Sequence, residues 1–222
     1  MANFKTHIGW GVFIGVGFVV ACLLYSMIFG MELIVGVFLA VIIGSFLPDL
    51  DLDGGVPFQI LFGLLAMVIA GIVFFDLYQS GNNNWKGLIF FPILTFVTVR
   101  FIGGFIFENF TNHRGMFHSI PAAILSGLIV FWLLNSFSEM EVSSSFFIGL
   151  AIIMGYLGHL VLDEIYSSVN LSGYSLFPKQ SLGSALKLYS SSRIATVFVY
   201  FLIVFLVSYD TELKKIVTNF WS

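Results

Sequence analysis

Long apolar runs broken by short polar stretches dominate the chain. A membrane-spanning helix needs about 20 mostly apolar residues. Seven runs approach that length, at roughly 8–29, 31–47, 57–76, 87–107, 118–135, 146–166 and 193–209. The second is short and follows Gly30 almost at once; Pro57 opens the third, and Ser119 with Pro121 marks the start of the fifth. Lys5 followed by an apolar stretch could be read as a signal peptide, but the run to Phe29 is longer than a typical signal core and further spans follow. It reads as a retained helix. The pattern predicts an all-α, polytopic integral membrane protein of about seven transmembrane helices, organised as a single domain over 1–222. It makes the protein a multi-pass membrane protein.

Composition supports this. Of the 222 residues, 59% are hydrophobic and 9% charged, against about 25% charged in an ordinary soluble domain. So few charges cannot build a surface facing water, so lipid must be the solvent for most of the chain. The net charge of −3 and the absence of a basic run argue against a nucleic-acid partner. The single cysteine, Cys22, lies in an apolar run and excludes an internal disulfide or a Cys-based zinc site.

If all seven runs cross, the polar breaks fall into two sets. The N-terminus and the loops at 48–56, 108–117 and 167–192 share one face. The loops near Gly30, 77–86 and 136–145 share the other with the C-terminus. Nearly every residue capable of chemistry lies in the first set. The loop at 167–192 is long enough to cover a site as a lid. Lys5, Arg114, Lys179, Lys187 and Arg193 lie on that face with Arg100 near it, against Lys86, Lys214 and Lys215 on the other. The bias places the chemistry-bearing face in the cytoplasm.

Three constellations stand out. The first is Pro48-Asp49-Leu50-Asp51-Leu52-Asp53-Gly54. In an extended segment its three carboxylates point to one side, and a cation relieves their repulsion. An EF-hand loop is excluded because its twelfth position, which requires a bidentate glutamate, is Ile60. The second is His113-Arg114-Gly115-Met116-Phe117-His118-Ser119. Gly115 lets the backbone turn so that the two histidines meet, and Arg114 offers a planar fork for phosphate or carboxylate. Ser119 begins the fifth helix, whose free N–H groups would favour an anion. The third is Gly155-Tyr156-Leu157-Gly158-His159, with Asp163 one turn beyond. His159 and Asp163, at i and i+4, share a helix face and can reach one ion. Ionisable groups within a membrane helix are costly and mark function. A solvated acidic loop, a chance histidine pair and a structural His–Asp hydrogen bond are the respective alternatives.

The joint pattern outweighs its parts. All four histidines, including His7 just before the first span, fall on one predicted face at the ends of four different spans. Imidazole and carboxylate bind zinc, manganese or iron. A His/Asp set with one open position suits metal-assisted hydrolysis.

These residues resemble the YdjM-type family of bacterial and archaeal inner-membrane proteins described as predicted membrane-bound metal-dependent hydrolases. The resemblance rests on His7, on Pro48-Asp49-Leu50-Asp51, on His113-Arg114-Gly115 with His118-Ser119, and on Gly155-Tyr156 with His159 and Asp163. Phe177-Pro178 stands where the family has a Trp-Pro step. The chain departs from the family at Phe117 and Tyr166, where threonine is frequent, and in its displaced Gly173. The resemblance implies a membrane hydrolase with one or two divalent metals, zinc foremost. A phospholipid or other lipid phosphate is the expected substrate, with membrane lipids as surroundings. Asp49, His113, His118, His159 and Asp163 are the expected ligands, with His7 and Asp53 as further candidates. Asp51 is the candidate general base and Arg114 the group that receives phosphate. A metal-ion or proton-coupled transporter is the main rival, and a membrane scaffold with a structural metal the second.

Overall fold

The computed structural model describes residues 4–51, 55–80, 84–105, 116–138, 140–168, 186–190 and 192–221. Among them there are helices and turns and no strand. In chain order the helices are α1 (Phe4–Leu24), α2 (Met31–Gly44), a 3-10 turn (Leu47–Asp51), α3 (Val56–Gln79), α4 (Trp85–Val97) continuing into a π-helical turn (Thr98–Gly103), α5 (Ile120–Phe137), α6 (Val142–Ser168), α7 (Arg193–Tyr209) and α8 (Thr211–Trp221). Each of the seven apolar runs is thus a helix. Five stretches are long and apolar enough to cross a membrane: Phe4–Leu24, Phe58–Gln79, Trp85–Gly103, Ile120–Phe137 and Val142–Tyr166. The other two are shorter. With a rise of about 1.5 Å per residue, the 14 residues of α2 extend about 21 Å, against about 30 Å of bilayer hydrocarbon.

The chain divides into two compact units, Met1–Pro48 with Arg114–Ser222, and Asp49–His113. The first contains α1, α2 and α5 to α8, and α6 is its centre. It packs against α1, α2 and α5 and is the most enclosed of the long helices. Small residues make that possible. A Cβ on Gly155 would lie 2.0 Å from the Val41 carbonyl oxygen of α2, and one on Gly44 would lie 2.3 Å from that of Ile152. Gly127 of α5 and Gly149 of α6 likewise face each other's backbone carbonyls, at 2.6 and 2.8 Å from the missing Cβ atoms. Such close approach is how membrane helices gain packing energy where lipid removes the hydrophobic drive. The link from α1 to α2 turns through Ser26 (φ 53°) and Gly30 (φ 84°). Outward, α2 presents a stripe of exposed Met31, Val35, Leu39 and Ile43.

The second unit is a hairpin of α3 and α4 with the π turn. Apolar side chains cover these helices all round, and most are exposed, as expected of helices solvated by lipid. Pro92 sits inside α4 and Arg100 in the π turn.

The last helix, α8, was not expected. Its Leu213 is buried, and Asp210 starts it by accepting hydrogen bonds from the Glu212 and Leu213 amides at 2.9 and 3.0 Å. Asn135 Nδ2, near the end of α5, donates to the other Asp210 oxygen at 3.3 Å. The buried carboxylate therefore ties α5 to the α7–α8 corner.

Candidate metal centre

Four side chains from three elements converge at one end of the first unit. His7 lies in the first turn of α1, His118 immediately before α5, and His159 and Asp163 in the last turns of α6. All four are buried. His7 Nε2 is 3.4 Å from Asp163 Oδ1. His159 Nε2 and His118 Nε2 are 3.7 and 3.9 Å from Asp163 Oδ2. One ligand atom from each of His118, His159 and Asp163 lies within 4.8 Å of the other two. The His7 ring stacks on that of His159 at 3.7 Å between centroids, and the His118 ring meets His159 edge-on at 5.6 Å.

Backbone groups hold this arrangement. His159 Nδ1 is 2.8 Å from the Ser45 carbonyl oxygen, at the C-terminal end of α2. A carbonyl only accepts, so this contact puts a ring proton on Nδ1 and, in the neutral ring, leaves Nε2 toward Asp163 as the metal-binding nitrogen. The Tyr156 hydroxyl, one turn before His159, donates to the Phe117 carbonyl beside His118. Trp10 Nε1 of α1 donates to the Gly158 carbonyl of α6 at 3.1 Å, one turn along from His7. Ser45, Tyr156 and Trp10 were not assigned roles from sequence. A backbone carbonyl has no residue signature; the spacing Tyr156–His159 (i, i+3) was the available clue for the tyrosine.

The residues fit a divalent cation on two observations. Ligands that are each about 2 Å from one ion lie about 3–4 Å from one another, which is the spacing of the three Nε2 atoms from the carboxylate. Neither nitrogen of the buried His7 ring makes a hydrogen bond, and leaving such groups unsatisfied costs about 1–3 kcal/mol each. Coordination through Nε2 would remove that cost at one of the two. A carboxylate buried among imidazoles also calls for a positive charge nearby, which a bound cation would supply.

Asp49 is buried in the 3-10 turn and is the first residue of the second unit. Asp51 ends that turn. Asp53, His113, Arg114 and Gly115 lie outside the described residues, as do Phe177-Pro178 and most of the expected lid at 167–192. One expectation is corrected. The N-terminus of α5 does not offer free N–H groups to an anion. Ile120 N–H donates to the Lys187 carbonyl at 3.0 Å, and Ala123 N–H donates to the Ser119 carbonyl at 3.2 Å. Ala122 N–H donates to Ser119 Oγ at 3.3 Å, and Pro121 has no N–H to give.

The chain matches the family model described as YdjM inner membrane protein over residues 1–218. No curated protein and no solved structure matches it. With a match over nearly the whole length, the chain belongs to the YdjM family of inner membrane proteins.

Proposed function

We propose that the protein is a membrane-embedded, metal-dependent hydrolase acting on a phospholipid or another lipid phosphate. The observation that carries this reading is the buried set of His7, His118, His159 and Asp163, with three imidazole Nε2 atoms gathered around one carboxylate. Zinc is the proposed ion, with manganese or iron as alternatives, because two-atom-type N/O sites of this kind suit all three. When bound, the ion supplies Lewis acidity for attack of water on a phosphoester.

The chain's own residues do the rest. Ser45 and Tyr156 orient His159 and the His118 loop. Asp163 supplies the carboxylate oxygens at the centre of the proposed ligand set. Asp49 and Asp53 are proposed as further ligands together with His113. Asp51 serves as general base, and Arg114 receives the phosphate through its planar fork. The cluster sits at helix ends, and the proposed site opens at headgroup depth on the cytoplasmic face.

The location also weighs against a transporter, which needs polar groups near the midplane of several spans. Among the described residues, the His/Asp cluster is confined to the α1 start, the α5 start and the α6 end. A proton on one imidazole would balance Asp163 without a metal, and a structural metal would leave a scaffold. One experiment separates these. Purify the protein in detergent, measure bound zinc, manganese and iron by mass spectrometry, and assay phosphate or headgroup release from a panel of phospholipids and polyprenyl phosphates. Bound metal with release supports the hydrolase. Bound metal without release from any member sinks the phosphoester reading and favours the transporter or the scaffold. Absence of metal removes the catalytic reading altogether.

A further inference from the structure

The second unit carries a carboxylate where its own helix works against it. Asp76 lies in the last turn of α3, which holds no basic residue. The Asp76 carbonyl accepts from Ser80 N–H at 3.0 Å, and the Leu77 carbonyl accepts from Ser80 Oγ at 2.8 Å. Oxygens gather at this end, and the helix dipole adds negative potential that favours a cation there. Among the described residues, no hydrogen bond or ion pair engages the exposed Asp76 carboxylate.

That carboxylate lines a groove of about 400 Å³ between α3 and α4, whose other walls are Ile72, Val73, Leu77, Phe91 and Thr95. The volume falls within the roughly 300–1,000 Å³ of small-molecule sites. The walls are otherwise apolar in effect, because the Thr95 hydroxyl donates within its own helix, to the Phe91 carbonyl at 2.9 Å. Ile72 and Phe91 are exposed, so the groove opens outward. Pro92, next to Phe91, interrupts α4 at this level. It has no N–H for the Leu88 carbonyl, and helices bend at such breaks. Depth is marked by the exposed Tyr78 and Trp85 on either side of the α3–α4 turn, since tyrosine and tryptophan gather at the membrane–water boundary. Asp76 precedes Gln79, the last residue of α3, by about 4.5 Å along the axis. It therefore stands at headgroup level, while Ile72 and Thr95 lie further from the turn, in hydrocarbon. An anion at headgroup level with apolar walls beneath it matches a cationic headgroup that carries acyl chains. A primary ammonium fits better than a trimethylammonium, because it brings three N–H donors to the carboxylate.

We propose that the α3–α4 groove binds a phospholipid with a primary ammonium headgroup, the ammonium on Asp76 and an acyl chain along Ile72, Phe91 and Thr95. The site shares no residue with the metal centre and does not rest on the hydrolase reading.

The test uses the full chain in detergent micelles and native mass spectrometry, which counts bound lipids. Phosphatidylethanolamine, phosphatidylcholine and phosphatidylglycerol with identical acyl chains are titrated separately onto wild type, Asp76→Asn and Asp76→Glu. Glycerophosphoethanolamine supplies the same headgroup without acyl chains. Wild type is expected to bind phosphatidylethanolamine on the order of tenfold more tightly than the other two lipids, the worth of a charge-assisted hydrogen bond, and more tightly than glycerophosphoethanolamine. Asp76→Asn keeps the volume and should lose the preference, whereas Asp76→Glu should retain it because the charge remains. Asp76 is exposed, so neither change is expected to disturb folding, and the selectivity of wild type is a check that needs no variant. Equal affinity of wild type for the three lipids overturns the proposal, as does a preference that survives Asp76→Asn. Glycerophosphoethanolamine binding as tightly as the lipid overturns the role of the groove. A second copy of the chain, held through Asp76 in place of lipid, overturns the proposal in favour of a dimer.

Discussion

Asp163 is the residue that three imidazoles share, and its replacement separates charge from shape. Asp163→Asn keeps the volume and removes the negative charge. Bound zinc is expected to fall by more than the 10–100-fold typical of losing an outer partner, while membrane insertion, which follows span hydrophobicity, is retained. Mass-spectrometric zinc content per folded protein checks this, and full retention would remove Asp163 from the ligand set. Ser45 makes the opposite prediction. It acts on His159 through its carbonyl, and its hydroxyl turns back to Ile42. Ser45→Ala should therefore leave zinc content unchanged within about twofold, whereas a serine hydroxyl acting as ligand would cost most of it. At this scale the sequence was legible wherever side-chain chemistry was used. His159 and Asp163 announced themselves because ionisable groups are rare in apolar helices, and His7 and His118 only jointly with them, by falling at span ends on one predicted face. The Ser45 carbonyl could not, since every residue has one, and the Ile120 amide was read as free because its partner, Lys187, is 67 residues away along the chain.

At the scale of elements, hydrophobic run length located all seven apolar helices, because lipid forces backbone hydrogen bonding within each segment. Their ends were less legible. The boundary of α1 moved to Phe4 and so placed His7 inside a helix. The amphipathic α8 was missed because Glu212, Lys214 and Lys215 break its apolar run, although Leu213, Ile216, Val217 and Phe220 recur at helical spacing. Helix contacts were legible only as glycines, without partners. The structure supplies the partners and hence a contrast. Gly155→Ala forces a Cβ to within 2.0 Å of the Val41 carbonyl oxygen, so α2 must move away from α6 and the Ser45–His159 contact with it. A loss of about 1–3 kcal/mol, as for overpacked cores, is expected in detergent unfolding, together with reduced zinc. Gly17→Ala in α1, where a Cβ meets nothing within 4 Å, is expected to be neutral or to stabilise by up to about 1 kcal/mol through helix propensity. Equal effects of the two substitutions would mean that α2 and α6 do not cross so closely.

For the whole molecule, the membrane class followed from composition and the family match extends over nearly the entire chain, but sidedness rests on few charges. The proposed orientation puts Ser192, at the start of α7, in the cytoplasm and Asn84, at the start of α4, outside. In a Cys22→Ser background, Asn84→Cys should react with a membrane-impermeant maleimide in intact cells, and Ser192→Cys should react only after the membrane is opened. The reverse pattern would turn the protein over and place its site outside.

The short α2 bears on the bilayer itself. Its exposed apolar stripe, from Met31 to Ile43, covers about 18 Å along the axis at about 1.5 Å per residue, well below the hydrocarbon thickness. Bilayers adapt to such hydrophobic mismatch by thinning beside the short element, at a modest cost for each ångström. The leaflet nearest Ser45 and His159 would then dimple, lowering headgroups toward the cluster. Turnover should consequently be faster in bilayers of 14-carbon lipids than in those of 22-carbon lipids, where the dimple is deeper and costlier to form; rates independent of chain length would mean that substrate reaches the site without deforming the leaflet.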